Sequence, residues 1–187
     1  MYKFCKTEQS SQRQRELEQG LLAMMEHQRF DEISVSDLCD RLQVPRKSFY
    51  RYFSSKDGAL HALYDHTLLE FYETGGIDGL RGGTPAGDLE RFFLFWKHNR
   101  RLLDATLRSN LSGMLVERAV SLAKKEELMP GYVRDWEDTM QDVAMGFAVC
   151  GLMSIVLQWH KEGYQIPVEK ITQAAVTMLS RPLVPNL

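Results

Sequence analysis

Residues 33–57 read ISVSDLCDRLQVPRKSFYRYFSSKD, and this stretch decides the fold of the N-terminal region. Ser34 can cap a helix, and Asp37, three residues later, can return a hydrogen bond as in a capping box. Four apolar residues then recur at the spacing of one side of a helix: Val35, Leu38, Cys39 and Leu42. Pro45 suits the start of a second helix, where its missing N–H is harmless. The stretch predicts two short helices joined by a tight turn, which is the helix-turn-helix pattern.

The second of these helices would carry aromatic and basic residues on opposite sides. At about 100° per residue, Phe49 and Phe53 point toward the domain, whereas Lys47 and Arg51 point nearly the other way. Arginine and lysine can donate to guanine O6 and N7 in the major groove, and the first turn of such a helix lies nearest the base edges. The predicted base-reading residues are Arg46, Lys47, Ser48 and Arg51. Three further residues are better suited to phosphates: Tyr50, Tyr52 and Lys56.

The charge of the chain is distributed unevenly. The formal net charge is −2, but residues 41–56 hold five basic residues and no acidic one, which leaves 18 basic and 25 acidic residues elsewhere. A local basic surface of this kind favours contact with nucleic acid. From charge alone, a solvated basic face of a helical domain is an equal alternative. The interleaved aromatic residues and the capped helix before them favour DNA contact.

The two segments 33–39 and 44–57 closely resemble the DNA-binding signature of the TetR family. The resemblance covers about a quarter of the chain, and its core is the run Phe49-Tyr50-Arg51-Tyr52-Phe53-Ser54-Ser55-Lys56. It implies base reading by Arg46, Lys47 and Ser48, and phosphate contacts from Tyr50, Tyr52, Lys56 and the region of Ser36.

The chain departs from the family at two positions where glycine is usual. Gln43 stands in the turn, and Arg29 stands near the end of the first helix. A residue other than glycine at positive φ costs on the order of 1–2 kcal/mol, so we expect a strained or altered turn.

Helical spacing recurs through the chain, and no segment sustains the alternation of a half-buried strand, so the fold class is predicted to be all-α. Helices are predicted at about 12–27, 89–107, 111–127, 136–161 and 168–179, besides those of the helix-turn-helix and a fourth helix capped by Ser55. Six glycines and a proline between Thr74 and Gly87 mark a connection. We predict a DNA-binding domain at 1–56 and a larger helical regulatory and dimerisation domain at 57–187, with a linking helix at 56–73.

The TetR resemblance implies a homodimer joined by C-terminal helices in a four-helix bundle. The helix at 136–161 fits this role, because its apolar residues cover more of its circumference than one intramolecular partner usually does. A core helix within one chain is the alternative. The predicted interface residues are Ala144, Phe147, Ala148, Gly151, Ile155, Trp159, Ile171, Ala175 and Met178.

The family comparison also suggests a ligand cavity among the middle helices, although aromatic and methionine side chains at helical spacing are more often plain core. The candidate lining residues are Phe92, Phe93, Trp96, Met114, Trp136 and Met140. A small-molecule effector or a partner protein would act by favouring one conformation of the dimer.

Other classes of function have little support in the sequence. The three cysteines are far apart, so we expect neither a disulfide framework nor a zinc ribbon, and a reduced cytoplasm fits best. The longest uncharged run, 143–159, is shorter than the roughly 20 residues of a membrane span, so a buried helix is predicted there. No nucleophile or phosphate-loop motif occurs, and neither a cofactor nor a metal site is expected.

The sequence thus predicts a regulator of transcription, most simply a repressor, that binds an inverted repeat in double-stranded DNA as a homodimer. The alternative is a helical ligand-binding or protein-interaction module without sequence-specific DNA readout. Salt dependence of binding to duplex DNA discriminates the two.

Overall fold

The computed structural model describes residues 2, 3, 5, 7–74, 84–125 and 136–180. Within these residues the regular structure is helical, apart from one isolated antiparallel bridge between Tyr2 and Phe53, and the all-α prediction is confirmed. The helices are α1 (Glu8–Met25), α2 (Val35–Arg41), α3 (Arg46–Tyr52), α4 (Lys56–Glu73), α5 (Pro85–His98), α6 (Arg100–Arg108), α7 (Ser112–Lys125), α8 (Asp138–Lys161) and α9 (Val168–Ser180). A short 3-10 helix, Phe30–Glu32, precedes α2. Most of the glycine-rich connection predicted after Thr74 lies outside the described residues.

The predicted helix caps at Ser34 and Ser55 are confirmed by their hydrogen bonds, whereas Pro45 lies just before α3 as its N-cap and not as its first residue. The Asp37 N–H donates to Ser34 Oγ (3.1 Å) and the Ser34 N–H donates to an Asp37 carboxylate oxygen (3.0 Å), which completes the capping box. Ser55 Oγ likewise accepts from the Gly58 N–H (3.1 Å) at the start of α4. These caps satisfy N–H groups that a helix leaves unpaired in its first turn.

The single helix predicted at 89–107 is wrong, because α5 and α6 are separate helices that meet at Asn99. The Asn99 side-chain amide donates to the Phe95 carbonyl oxygen (3.0 Å), and the Asn99 N–H donates to the same oxygen (3.0 Å). Asparagine side chains compete with helical backbone hydrogen bonds in this way, and Asn99 has left the helical conformation (φ −85°, ψ 26°).

The described residues divide into two compact units, one drawn from 1–67 and 101–118 and the other from 68–100 and 119–187. The first unit contains the helix-turn-helix, and its core combines residues of α1, α2, α3, α4 and α6. Its fully buried side chains include Leu17, Leu21, Leu38, Phe49, Phe53, Leu60, Leu63, Tyr64 and Leu103. The division into functional domains at 56/57 stays a prediction, since packing units and functional domains need not coincide.

The second unit is built on α5, α8 and α9, with an aromatic cluster at its centre. Phe93 and Trp159 are buried edge to face, with 5.9 Å between ring centroids. The Trp159 indole N–H donates to the Ile166 carbonyl oxygen (2.8 Å), so the end of α8 is tied to the loop before α9.

The helix α8 is largely unburied in the single chain, which contradicts the alternative of a core helix within one chain and leaves the interface helix as a prediction. Of its 24 residues, Met145, Met153, Val156 and Trp159 are buried. It is the one helix among the described residues that is long and apolar enough to cross a membrane, a test that the core helix of a soluble protein also passes.

Candidate nucleic-acid interface

The turn between α2 and α3 is a Schellman motif centred on Gln43. The Val44 N–H donates to the Cys39 carbonyl oxygen (2.9 Å), and the Gln43 N–H donates to the Asp40 carbonyl oxygen (3.2 Å). Gln43 takes φ +53°, the left-handed conformation that glycine adopts without strain. The strain expected at this position is therefore present in the backbone.

Arg29, the other departure from the family pattern, has extended backbone angles (φ −72°, ψ 149°), which any residue adopts. Its N–H donates to a Glu32 carboxylate oxygen (2.9 Å) at the start of the 3-10 helix. No glycine is needed there, so the departure at Arg29 costs no backbone strain.

Gly20 positions the helix-turn-helix on α1 and was not recognised from the sequence. A Cβ at Gly20 would lie 2.5 Å from Leu42 Cδ1, so the absence of a side chain on α1 leaves room for the Leu42 side chain at the end of α2. A glycine inside a helix lowers its stability by about 1 kcal/mol relative to alanine. A glycine in the middle of the predicted first helix was therefore the signal from which a packing role could have been inferred.

The two predicted sides of α3 are confirmed. Phe49 and Phe53 are fully buried, with 5.1 Å between their ring centroids, whereas Lys47 and Arg51 are exposed. The seven-residue helix α3 thus packs against the core through its aromatic side and exposes its basic side to solvent.

The four predicted base-reading residues lie together on α3. Arg46, Lys47 and Arg51 are exposed, and Ser48 is half-buried. The Arg46 guanidinium donates to the Tyr50 hydroxyl (3.4 Å) and lies 6.0 Å from the centroid of its ring. This hydrogen bond raises the pKa of Arg46, so its charge is secure at any physiological pH.

The four predicted phosphate-binding residues have different surroundings. Tyr50 is 46% exposed, while Tyr52 is 7% exposed and has its ring in the core. Ser36 is half-buried in the first turn of α2. The phosphate roles of these residues stay predictions, as do the base-reading roles on α3.

Lys56 is engaged within the protein. Its ammonium group donates to the carbonyl oxygens of Phe30 (2.5 Å) and Ile33 (2.6 Å) and lies 4.3 Å from the Phe30 ring centroid. The Asp31 carbonyl oxygen is farther away, at 3.5 Å. The three ammonium donors, two of them in short hydrogen bonds, therefore tie the start of α4 to the segment before α2.

The predicted cavity residues do not all belong to one unit. Met114 lies in the first unit, and the other five lie in the second. Phe93 and Trp96 are buried, Phe92 is half-buried, and Trp136 and Met140 are exposed. The cavity stays a prediction.

The predicted interface residues differ widely in exposure. Phe147, Gly151 and Met178 are exposed, whereas Trp159 and Ala175 are buried within the second unit. Four are half-buried: Ala144, Ala148, Ile155 and Ile171. Val143, which is 59% exposed, lies one turn before Phe147 and extends the exposed apolar side of α8.

Side chains suited to metal binding are scattered in the part of the chain that the structure describes. No group of three or more histidine, cysteine, aspartate or glutamate residues there is arranged to hold an ion.

Residues 20–63 match a family model described as bacterial regulatory proteins, tetR family. This span covers the end of α1, all of α2 and α3, and the start of α4. No curated protein matches the chain.

Three solved structures share the fold. The fatty acid degradation regulator FadR from Bacillus halodurans has a TM-score of 0.60 at 14% identity, with 91% of this chain and 96% of that chain covered. A tetR-family transcriptional regulator from Streptomyces coelicolor has a TM-score of 0.52 at 16% identity, with 89% and 78% covered. The dihydroxyacetone kinase operon activator DhaS has a TM-score of 0.50 at 15% identity, with 90% and 94% covered.

At these identities the solved structures show the fold alone. Together with the match at 20–63, they make the chain TetR-like, with the tetR-family region at its N-terminus and a larger helical region after it. The findings indicate a regulator of transcription.

Proposed function

We propose that this chain is a sequence-specific DNA-binding regulator of transcription that acts as a homodimer on an inverted-repeat site. The observation that carries the proposal is α3, which exposes Lys47 and Arg51 and is held on its other side by the buried rings of Phe49 and of Phe53, the residue after the helix. An exposed helix of this width fits the major groove of B-form DNA.

Direct readout would come from the first turn of α3. Arg46 and Lys47 can donate to guanine O6 and N7, and Ser48 can donate to or accept from a base edge. Arg51, one turn further along, extends the same exposed side. Residues 41–56 contain no acidic side chain, so the charge that α3 itself presents to a phosphate backbone is wholly positive.

Backbone contacts would orient this helix in the groove. Tyr50 can offer its exposed hydroxyl, and the half-buried Ser36 hydroxyl in the first turn of α2 can donate to a phosphate oxygen. Tyr52 and Lys56 would contribute less, because Tyr52 is buried and the Lys56 ammonium already donates to carbonyl oxygens, so a phosphate would have to replace its longest contact, to Asp31.

The exposed side of α8 is the proposed dimer interface. Val143 and Phe147, at 59% and 61% exposure, are large apolar side chains in water, and exposed apolar patches of this kind mark protein interfaces. A Cβ at Gly146 or Gly151 would meet nothing within 4 Å, so the helix is open there to close approach by a second copy.

An interface on this side would use the exposed and half-buried residues of the predicted set, among them Ala144, Phe147, Ala148, Gly151 and Met178. Trp159 and Ala175 would support it from within the second unit. A two-fold dimer would place two copies of α3 about 34 Å apart, which is one turn of DNA, and would select inverted repeats.

Regulation by an effector is the third part of the proposal. An apolar small molecule or a partner protein would bind one conformation of the dimer better and so change the spacing of its two DNA-binding regions. The candidate contacts for a small molecule are the predicted aromatic and methionine residues of the second unit. The proposed effect of DNA binding is repression of transcription, and the proposed effect of the effector is release of the dimer from DNA. The proposed location is the cytoplasm, and the proposal involves neither catalysis nor a cofactor.

The experiment that tests DNA binding is selection of bound sequences from a random duplex pool, followed by salt titration on the selected duplex. We expect an enriched inverted repeat, and a binding constant that falls steeply with salt, by about 0.9 log units per log unit of salt for each phosphate neutralised. The double variant Lys47→Glu with Arg51→Glu should abolish the selection. Lys170→Glu, an exposed lysine of α9, is the matched control and should not change it.

No enrichment together with flat salt dependence would contradict the proposal and favour a helical interaction module. If an inverted repeat is enriched, a transcription assay with that site upstream or downstream of a promoter shows whether binding represses or activates.

A further inference from the structure

The N-terminal arm, defined here by the described residues Tyr2, Lys3 and Cys5, lies against the end of α3. The Lys3 N–H donates to the Tyr52 carbonyl oxygen (3.0 Å), and Tyr2 forms an antiparallel bridge with Phe53. Tyr52 is the last residue of α3. The arm therefore contacts the helix that would read the DNA bases.

The contact matters because α3 is short. The last carbonyl groups of a helix have no partner within it, and in a helix of seven residues they make up more than half of the acceptors. A donor from the arm satisfies one of them and joins the end of α3 to a second segment of the chain. Without such a contact, the last turn of a helix frays.

The arm is anchored through the Tyr2 side chain. The Tyr2 hydroxyl donates to an Asp65 carboxylate oxygen on α4 (2.7 Å), and the Tyr2 ring meets His66 edge to face at 5.5 Å. Asp65 is 4% exposed and also accepts two hydrogen bonds from the Arg118 guanidinium, one of them at 2.7 Å. A buried carboxylate held by a guanidinium is a fixed point, because releasing it would leave a charge unpaired.

The electrostatics of this anchor keep the tyrosine hydroxyl as a donor. Burial, together with the hydrogen bond to Asp65, raises the pKa of Tyr2 well above its usual range. The Arg118 pKa is raised too, chiefly by its hydrogen bonds to Asp65. The Tyr2 hydroxyl therefore keeps its proton, and the Arg118 guanidinium its charge, at physiological pH.

A second tether lies further along the arm. The Cys5 thiol donates to the Gln14 side-chain oxygen on α1 (2.8 Å), and Gln14 is buried. The arm is thus held on both sides of Lys3, at α4 by Tyr2 and at α1 by Cys5.

We propose that Tyr2 and Lys3 are positioning residues for DNA binding, because the anchored arm holds the C-terminal end of α3 in place against the rest of the first unit. The proposal rests on the proposed function for its effect on DNA. In this proposal Lys3 acts through its main-chain N–H and not through its ammonium group. Direct contact with DNA would instead use the exposed Lys3 ammonium to bind a phosphate, so substitutions at residue 3 can distinguish the two roles.

Two substitutions at residue 3 make the test. Lys3→Pro removes the N–H donor and is compatible with an extended backbone, whereas Lys3→Ala keeps the donor and removes the ammonium. We expect Lys3→Pro to weaken binding to the selected duplex about threefold to tenfold, the equivalent of one hydrogen bond, and Lys3→Ala to leave it unchanged. The salt dependence should be the same in both variants and in the parent protein, since no phosphate contact is lost.

A third substitution tests the anchor. Tyr2→Phe keeps the ring and removes the hydroxyl, and Asp65 retains Arg118, so the variant should fold. We expect a loss of affinity in the same direction as in Lys3→Pro. If Lys3→Ala instead lowers both the affinity and the salt slope, the arm contacts DNA directly and the positioning role is overturned.

Hydrogen exchange without DNA tests the inference even if the protein does not bind DNA. Peptides that cover Arg46–Phe53 should exchange faster in Lys3→Pro and Tyr2→Phe than in Lys3→Ala, which should match the parent protein. The thermal unfolding midpoint of each variant, measured alongside, shows whether a change is confined to α3. Unchanged exchange in both Lys3→Pro and Tyr2→Phe would overturn the inference.

Discussion

The helices α3 and α8 differ in the chemistry that they leave to solvent. Seven-residue α3 buries its aromatic side and exposes arginine and lysine, whereas 24-residue α8 buries few of its residues and exposes Val143 and Phe147. Charged side chains lose little by standing in water, but exposed apolar surface carries a free-energy cost that association can remove.

The difference between the two helices teaches which class of partner each one suits. A cationic helix gains from a polyanion, because the DNA releases its condensed counterions when phosphates are neutralised. An apolar helix gains from a second apolar surface, as in the interface between two copies of one chain. One chain thus carries two exposed surfaces that call for unlike partners.

The strongest way to break this contrast is to place a charge on α8. Phe147→Glu should raise the dimer dissociation constant about 30-fold or more, the effect of losing a central aromatic contact at an interface. Helical content should stay the same, because Phe147 is 61% exposed in the single chain. Sedimentation should show half the mass, and affinity for the inverted repeat should fall with it.

Two further variants control for the charge. Phe147→Leu keeps an apolar side chain and should keep the dimer. Gly151→Leu adds bulk where a Cβ would meet nothing within 4 Å, so a single chain accommodates it and only close approach of a second helix is blocked. A dimer that survives both Phe147→Glu and Gly151→Leu would remove α8 from the interface.

On α3 the corresponding change is the loss of a charge. Lys47→Ala should make the free energy of binding to the selected duplex less favourable by about 1–3 kcal/mol, because contacts to particular base pairs are lost. Binding to a scrambled duplex should be much less affected. Mobility-shift titrations on both duplexes measure the difference, with Lys170→Ala as the control. Equal losses on the two duplexes would show that Lys47 does not read bases.

The contrast between the two helices also explains what the sequence could predict. The capped start of α2 and the two sides of α3 follow from hydrogen bonds and spacings within a few residues, such as Ser34 with Asp37 and Phe49 with Phe53. Local signals of this kind are readable from one segment alone.

Other features depend on contacts between segments distant in sequence. Apolar residues surround so much of α8 that the pattern could not show Trp159 buried and Phe147 exposed. The break at Asn99 depends on one side-chain hydrogen bond, and the three carbonyl partners of Lys56 lie 23 to 26 residues before it. The anchoring of Tyr2 by Asp65 on α4 left no pattern in either segment.

Lys56 donates hydrogen bonds within the protein and is also predicted to contact DNA phosphates. Lys56→Ala should weaken binding to the selected and the scrambled duplex alike, about tenfold, because phosphate contacts carry no sequence information. The plot of log affinity against log salt should become less steep by about one. Lys56→Arg, which keeps the charge, should restore the slope. An unchanged slope in Lys56→Ala would mean that the ammonium serves only the carbonyl groups.

The smallest expected effects concern backbone strain in two turns, the turn before α3 and the turn after α8. Gln43 and Tyr164 both have positive φ, at 53° and 58°. Gln43 is exposed, so Gln43→Gly should raise the free energy of unfolding by about 0.5–1 kcal/mol, the relief of strain less the larger entropy loss of glycine. Gln43→Ala, which keeps a Cβ, should give no gain.

Tyr164 carries the same backbone strain, but its side chain is used. Its ring lies 4.8 Å from the Trp159 ring, edge to face, and its hydroxyl is 2.7 Å from His160 Nδ1. Tyr164→Gly should therefore lower the free energy of unfolding by about 1 kcal/mol or more, since the aromatic contact outweighs the relief. Denaturant unfolding of the two glycine variants measures both changes in the free energy of unfolding, the expected gain at Gln43 and the expected loss at Tyr164. A gain at both positions would mean that the ring of Tyr164 contributes less than its strained backbone costs.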